Sequence, residues 1–249
     1  MAGDLQDNRG RGEVASALPR IHPEGRKFGL GVLAAALVCA WFAWETLAWP
    51  LVFLSICVFA FFRDPDRVVP QDDRLIVSPA DGTIVQIAET APPPELLVDD
   101  GTGFGGLSEE PVTRISIFLS LVDVHINRTP IGGVVRRVVY VPGKFVNADL
   151  DKASEDNERQ YFLIERSDGV RVGMTQIAGV IARRIVAFAK PGDILGVGQR
   201  IGLIRFGSRV DVYLPAGTGS QVMIGQRVVA GETVLAEIGA RPLVEGVTQ

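Results

Sequence analysis

The sequence predicts an α+β fold that is mainly β and that begins with an apolar helical hairpin. Two stretches of seventeen residues, 28–44 and 46–62, carry no charge and are separated by Glu45 alone. After Pro70 the pattern changes to short β-favouring runs divided by glycine, proline and aspartate, which is typical of a β domain. A chain of 249 residues has room for one sizeable domain of this kind and an appendage.

The two uncharged stretches predict a membrane-associated helical hairpin over residues 26–67. Each is at the short end of the ~17–25 residues that cross a bilayer as a helix. Basic residues flank the pair, with Lys27 before it and Arg63 after it. Because such residues favour the cytoplasmic side, we expect the hairpin in the cell membrane with both ends, and the following domain, on the cytoplasmic face.

The middle of the hairpin is expected to turn. Glu45 and Pro50 lie there, and Trp41, Trp44 and Trp49 are typical of side chains that anchor at a membrane interface. The turn either reaches the far interface or stays within the bilayer as a re-entrant loop. A buried hairpin in a soluble core is the alternative, but apolar residues cover every helical face where a soluble helix would keep a polar one.

Residues 1–25 predict a disordered tail because they are rich in glycine, arginine and aspartate. A secretory signal is disfavoured. The apolar run starts only after 27 residues that include four acidic ones, and no small-residue cleavage site follows before the second run.

Ten strands are predicted in the remainder of the chain. They are 74–77, 83–88, 113–119, 134–141, 161–165, 171–176, 185–188, 202–206, 209–213 and 233–237. Helical propensity is strongest over 148–157. Residues 91–111, which are rich in proline and glycine, are expected to form a mobile surface loop.

Two segments predict how the β domain closes. Residues 78–85 (SPADGTIV) and 225–235 (GQRVVAGETVL) resemble the paired halves of a biotinyl- or lipoyl-like barrel-sandwich. The lysine that such modules carry for modification is absent from both segments. We therefore expect residues 68–249 to form a barrel-sandwich-like β domain.

Composition narrows the function classes. With 25 basic and 29 acidic residues, a net charge of −4 is not the footprint of a nucleic-acid-binding protein. Cys39 and Cys57 lie in apolar stretches without metal-ligand spacing, so neither a metal site nor a disulfide is expected. The motifs of nucleotide and dinucleotide binding are absent from the sequence, so any cofactor must have another source.

Gly207-Ser208 is an unusual break between two β-favouring runs, with Arg205 and Arg209 on either side. Such a pair is most often an ordinary turn. In a strained turn, however, the Ser208 hydroxyl can attack the preceding carbonyl and convert the amide into an ester. Elimination from that ester and loss of ammonia would leave a pyruvoyl group at a new amino terminus.

Five segments in this order resemble the short, prokaryotic type of phosphatidylserine decarboxylase. They are residues 61–65 (FFRDP), 78–82 (SPADG), 123–130 (DVHINRTP), 147–159 (NADLDKASEDNER) and 205–211 (RFGSRVD). The resemblance covers most of residues 60–240.

The resemblance implies a pyruvoyl-dependent carboxy-lyase of phospholipid biosynthesis. A proenzyme would cut itself at Gly207-Ser208 into a β chain, 1–207, and an α chain, 208–249. The pyruvoyl group made from Ser208 would form a Schiff base with phosphatidylserine in the membrane, release carbon dioxide and yield phosphatidylethanolamine, without a metal. The two chains would stay partners, no nucleic acid is involved, and a homodimer is left open.

His125 and Asp81 are the other catalytic candidates that the resemblance implies. His125 can move a proton near neutral pH, although a histidine held at a strand end beside Asp123 is the ordinary interpretation. Asp81 can equally be a turn residue that bonds its own backbone. In the long form of the family a second histidine follows three positions later; here that position is Arg128, so His125 serves two steps or Asp81 takes a larger part.

Arg205, Arg209 and Lys144 could hold the substrate carboxylate or phosphate, because basic side chains match such oxyanions. Solvated charge at strand edges is the competing interpretation. A different class of function also stays open: a membrane-tethered barrel-sandwich adaptor or carrier that is not an enzyme and needs no break at Gly207.

Overall fold

The computed structural model describes residues 19–97, 106–107, 109–143, 157–179, 184–205 and 208–243. These residues fall into two compact units. A helical unit contains residues 19–66 and 121–124, and a β unit contains residues 67–120 and 125–243. Most of the predicted helix over 148–157 lies outside the described residues.

The helical unit consists of two long helices, α1 (Pro23–Trp41) and α2 (Glu45–Phe61). They pack closely because α1 carries a glycine at the contact. A Cβ atom on Gly29 would lie 2.3 Å from the Phe59 ring, so only glycine admits that ring. The Ser55 hydroxyl donates a hydrogen bond to the Gly29 carbonyl at 2.9 Å and ties the two backbones together.

Helix α1 ends in a Schellman motif, in which Ala43 takes the left-handed conformation with φ 55°. The Trp44 amide donates to the Cys39 carbonyl at 2.8 Å and satisfies one of the orphan carbonyls at the helix end. The turn is therefore formed by residues 42–44. The prediction that Pro50 lies in the turn is wrong, because Pro50 is inside α2.

Across the described helices, none combines the length and the apolarity needed to cross a membrane.

The start of the helical unit differs from the predicted disordered tail. Residues 1–18 lie outside the described ranges, but Arg20–Ile21 form a short strand, β1, which pairs with β2 (Arg63–Asp64). His22 then caps α1, since its Nδ1 accepts the Glu24 amide at 3.3 Å and Pro23 opens the helix. The predicted boundary at residue 25 needs correction, because a cap and a strand partner fix residues 20–25.

In its described residues, the β unit is built from thirteen further strands and one short helix, α3 (Pro94–Leu97). The strands are β3 (Leu75–Val77), β4 (Gly82–Thr90), β5 (Val112–Leu119), β6 (Ile126–Arg128), β7 (Gly133–Val141), β8 (Arg159–Glu165), β9 (Arg171–Ala178), β10 (Ile185–Ala187), β11 (Ile194–Leu195), β12 (Arg200–Ile204), β13 (Ser208–Tyr213), β14 (Arg227–Val228) and β15 (Val234–Glu237). A fold that is mainly β is confirmed. All ten predicted strands are present, and each end either coincides with the prediction or is shifted by one or two residues.

The strands form one large antiparallel sheet with two smaller ones beside it. The large sheet has the order β11-β7-β8-β9-β13-β5-β4-β14, so β13 lies near its centre between β9 and β5. A three-stranded sheet has the order β10-β12-β6, and β15 pairs with β3. The chain passes from β12 in the small sheet directly to β13 in the large one.

The two faces of the large sheet carry separate apolar clusters. The main core contains Val210, Val212 and Phe162, all fully buried. The second cluster, on the opposite face, includes Leu96 and Tyr213. The prediction of a surface loop over 91–111 is therefore wrong at Leu96, which is completely buried, because α3 folds an apolar side chain onto the sheet.

The two segments that resemble barrel-sandwich halves lie side by side. The β4–β14 pairing sets Val228 opposite Gly82, and the Ser78 amide donates to the Thr233 carbonyl at 2.8 Å. In the reverse direction, the Gly231 amide donates to the Ser78 carbonyl at 2.7 Å. These bonds bring the turn before β4 against the turn before β15.

Candidate active site

Ser208 is the first residue of β13 and is completely buried. Its Cα pairs with Leu119 on β5 and with Ala178 on β9, so strands flank it on both sides. Within the described residues its Oγ makes no hydrogen bond. A buried hydroxyl without a partner is costly, and such groups call for a functional explanation. Gly207 and Lys144 lie outside the described residues.

Alternation along β13 separates Ser208 from Arg209. Side chains at 208, 210 and 212 share one face, and Val210 and Val212 pack in the main core. Arg209 faces the other way and forms a buried ion pair with Asp211, with Nε 2.7 Å from Oδ1 and Nη2 3.1 Å from Oδ2. Arg209 Nη2 also donates to Ser116 Oγ at 2.9 Å.

His125 is completely buried and comes immediately before β6. Its carbonyl accepts a hydrogen bond from the Ile204 amide at 3.2 Å, which extends the β6–β12 ladder by one residue. Ile204 precedes Ser208 by four residues, and a chain of that length spans at most about 14 Å. The fold therefore limits how far the predicted serine can lie from the strand end that holds the predicted histidine.

Residues 157–158, at the end of the fourth motif segment, bond to the strand beside Ser208. The Asn157 amide group donates to the Ala178 carbonyl at 2.8 Å, and the Ala178 amide donates to the Glu158 carbonyl at 2.9 Å. Ala178 is the residue that pairs with Ser208. Distant parts of the sequence thus converge on one position in the large sheet.

Asp81 lies in the turn before β4 and has both carboxylate oxygens bonded. Oδ1 accepts the Ala230 amide at 2.8 Å, and Oδ2 accepts Arg67 Nη2 at 2.6 Å. Both side chains of this ion pair are 13% exposed. The bonds tie together the turn before β4 and the turn before β15, so the partners of Asp81 are a distant amide and an arginine rather than its own backbone.

Arg128, which stands where the long form has its second histidine, is buried and bonded to the backbone. Its amide donates to the Pro79 carbonyl at 2.8 Å, and its Nη1 donates to the Gly198 carbonyl at 2.9 Å. The Pro79 contact links the segment with His125 to the segment with Asp81. Arg205 is half-buried, and its amide donates to the Arg184 carbonyl at 3.2 Å.

Two residues that the sequence did not single out lie on the same side as Ser208. Gln176 on β9 and Asn127 on β6 are both completely buried, and Gln176 Nε2 donates to Asn127 Oδ1 at 2.7 Å. A lone glutamine in the otherwise apolar inward face of a strand was the available signal for Gln176. For Asn127 the signal was its place two residues after His125.

The opposite face of the sheet carries two tyrosines whose pKa values are raised. Burial raises the pKa of Tyr161 to about 12, and burial also raises the pKa of Tyr213 far above its usual range. Both phenols therefore stay protonated at neutral pH.

Over the described ranges, no three histidine, cysteine, aspartate or glutamate side chains are grouped as metal ligands.

One family model matches most of the chain. The family model described as phosphatidylserine decarboxylase matches residues 54–236. The chain belongs to the phosphatidylserine decarboxylase family. All five motif segments of the sequence lie within the matched residues, as do Ser208, His125 and Asp81.

Curated relatives of the family match nearly the whole chain. A phosphatidylserine decarboxylase proenzyme from Novosphingobium aromaticivorans is 66% identical over 249 residues, covering 100% of this chain and 99% of that protein. One from Erythrobacter litoralis is 66% identical and covers 100% of both chains. One from Zymomonas mobilis is 58% identical over 227 residues, or 90% of each chain.

Proposed function

We propose that this chain is a proenzyme that cuts itself between Gly207 and Ser208 and then decarboxylates phosphatidylserine to phosphatidylethanolamine. The observation that carries the proposal is the Ser208 hydroxyl, buried at the start of a central strand with no hydrogen bond to the described residues. The family match supplies the substrate class, because the curated relatives are named phosphatidylserine decarboxylase proenzymes.

Self-cleavage follows from the chemistry of a serine beside an amide. Ser208 Oγ attacks the carbonyl carbon of the preceding residue, the hydroxyl proton passes to a base, and the C–N bond breaks as its nitrogen takes up a proton. The resulting ester then undergoes elimination. The Ser208 α-proton is removed, the Cβ–Oγ bond breaks, and Oγ stays with the carboxylate of the preceding residue. The enamine left at residue 208 tautomerises to an imine, and water hydrolyses that imine, which releases ammonia and leaves a ketone at the new amino terminus.

At residue 208 a pyruvoyl group would supply a ketone that can take up a primary amine, and an acceptor for the electrons released when carbon dioxide leaves. The burial of Ser208 supports the fit of such a group, because the position shields the reacting carbon from bulk solvent. Across the described chain the donor set offers no metal cluster, and the chemistry needs none.

His125 is the residue to which we assign proton transfer. An imidazole titrates near neutral pH and can both take a proton and return it to carbon. Support comes from its burial and from its backbone bond to Ile204, the last residue of β12, which precedes Ser208 by four residues. Asp81 remains a catalytic candidate by resemblance, and its two bonds assign it a structural role as well.

Anion binding by Arg205, Arg209 and Lys144 remains part of the proposal. Arg205 has the best support of the three, since it is half-buried and lies three residues before Ser208. Arg209 has the least, because its guanidinium pairs with Asp211 on the other face of the sheet.

We also propose that the helical unit attaches the protein to the cytoplasmic face of the cell membrane, where its lipid substrate resides. Large apolar side chains are exposed on it, with Trp41 86%, Trp49 71% and Phe53 69% exposed. Exposed patches of this kind mark sites of interaction, and tryptophan favours the membrane interface. The apolar hairpin would then hold a barrel-sandwich-like β domain beside the bilayer.

The non-enzymatic alternative is a membrane-tethered barrel-sandwich adaptor, favoured by the pairing of Gly82 with Val228 between the two half-like segments. An assay with defined vesicles separates the two. Full-length protein is mixed with vesicles that contain phosphatidylserine labelled at the carboxyl carbon, and labelled carbon dioxide is collected. The enzyme releases label from phosphatidylserine and the adaptor releases none.

A further inference from the structure

The Asn127–Gln176 pair is a fully buried polar contact that leaves hydrogen-bonding capacity unused. One bond joins the two carboxamides, from Gln176 Nε2 to Asn127 Oδ1 at 2.7 Å. Within the described residues, Asn127 Nδ2 donates no bond and Gln176 Oε1 accepts none. Turning both carboxamides over would leave the same inventory, one spare NH₂ group and one spare carbonyl.

The register of the large sheet places this pair beside Ser208. Gln176 pairs with Val210, and Ala178 pairs with Ser208, so Gln176 is the diagonal neighbour of Ser208 on the same face. Diagonal neighbours in an antiparallel pair have Cβ atoms about 7–8 Å apart, within reach of a glutamine side chain. On this face Ser208 Oγ is also without a hydrogen bond to any described residue.

The fold makes room for the pair at a glycine. Gly202 is the partner of Asn127 in the β6–β12 ladder. A Cβ atom there would lie 2.9 Å from Gln176 Nε2 and 3.1 Å from Gln176 Oε1. Any larger residue would displace the carboxamide, so the sequence of β12 keeps open the space that the pair occupies.

We propose that the Asn127–Gln176 pair assists self-cleavage at Ser208. When the precursor reacts, its spare carbonyl comes to accept a hydrogen bond from the Ser208 hydroxyl and orients Oγ, and its spare NH₂ comes to donate to the carbonyl oxygen that gains negative charge as Oγ attacks. The inference rests on the proposed function. Buried polar groups are normally fully bonded, and a preorganised donor stabilises a developing oxyanion more strongly when water is excluded.

The test measures how fast the 42-residue chain appears after synthesis of the full-length precursor, by mass spectrometry under denaturing conditions. Asn127→Ala is expected to slow cleavage by roughly 10²–10³-fold, the usual cost of losing an oxyanion donor. Gln176→Ala is expected to slow it by at least about tenfold, because the partner carboxamide loses its orientation. Ser220→Ala is the matched control, since it removes a buried hydroxyl bonded to Val222 at 2.8 Å and is expected to cleave at the wild-type rate.

Asn127→Asp keeps the size of the side chain and guards against simple misfolding. It replaces the NH₂ donor by a carboxylate, which can donate only when protonated. We expect slow cleavage at neutral pH that speeds up as the pH is lowered, whereas a purely structural loss would give no such recovery. Cleavage of Asn127→Ala and Asn127→Asp at the wild-type rate would overturn the inference, as would equal slowing in Ser220→Ala. A wild-type precursor that never cleaves would instead overturn the proposed function.

Discussion

The backbone of His125 is bonded to that of Ile204, with the Ile204 amide 3.2 Å from the His125 carbonyl oxygen. This bond fixes the histidine at the end of the strand from which the chain crosses to Ser208. Histidine and serine come from segments more than eighty residues apart in the sequence. The bond between these segments supports the proposal that Ser208 attacks the preceding carbonyl and that His125 carries the proton.

Removing the Ser208 hydroxyl should abolish both self-cleavage and decarboxylation. Ser208→Ala is expected to remain a full-length chain that releases no carbon dioxide from phosphatidylserine, because it has no oxygen to attack the preceding carbonyl. Denaturing gels and the carbon dioxide assay check this. Appearance of the 42-residue chain in that variant would remove the mechanism.

Replacing His125 should reduce turnover whether or not the precursor matures. His125→Ala is expected to lower decarboxylation by about 10²–10⁴-fold, the usual contribution of a positioned proton donor. The rate is measured per matured chain, so that slow cleavage and slow decarboxylation are counted separately. Normal turnover by matured His125→Ala would assign the proton to another group.

The Asp81–Arg67 pair should contribute to stability. Arg67→Ala leaves the Asp81 carboxylate with only the Ala230 amide, and we expect a loss of about 1–3 kcal/mol in the free energy of unfolding. Urea denaturation of Arg67→Ala and of Asp81→Asn measures the free energy of unfolding. If Asp81 has a structural role only, Asp81→Asn loses stability but decarboxylates at the wild-type rate per folded molecule. A loss of rate in Asp81→Asn that Arg67→Ala does not share would instead show a catalytic role.

The buried Arg209–Asp211 pair makes a sharper stability prediction. Arg209→Leu should cost about 3–5 kcal/mol, because it strands a completely buried carboxylate. The double variant Arg209→Leu with Asp211→Leu should recover much of that loss. Chemical denaturation measures both, and a single variant as stable as wild type would show that the pair contributes nothing.

Exposed tryptophans should govern membrane attachment. Changing Trp41 and Trp49 together to serine should weaken binding to phosphatidylserine-containing vesicles by roughly tenfold or more, since each ~1.4 kcal/mol of lost burial is tenfold in affinity. Co-sedimentation with vesicles measures this. Tyr140→Ser is the control, because Tyr140 is an aromatic residue of the β unit that is 53% exposed; equal weakening by Tyr140→Ser would contradict the assignment.

Strand existence could be predicted from the sequence because period-two patterns and turn residues are local. The five strands that were missed, such as β6 and β14, are two or three residues long and are held by partners rather than by propensity. The proline and glycine residues around Leu96 predict a surface loop. Only the tertiary fold shows that Leu96 packs on the second cluster.

The candidate site could be predicted only in part for the same reason. Motif resemblance selected Ser208, His125 and Asp81, but which face of β13 a side chain occupies depends on pairing. That pairing sends Arg209 to the opposite face and brings Gln176 to the face of Ser208. A contact between Asn127 and Gln176, which joins two sheets, has no local signal in either strand.

Intact-mass measurement of the purified, catalytically active protein under denaturing conditions tests the central claim most directly. Two polypeptides are expected, of 207 and 42 residues, with the smaller one lacking a free amino terminus and carrying a ketone where Ser208 was encoded. A single chain of 249 residues with an unmodified serine, in a preparation that still releases carbon dioxide from phosphatidylserine, would contradict it.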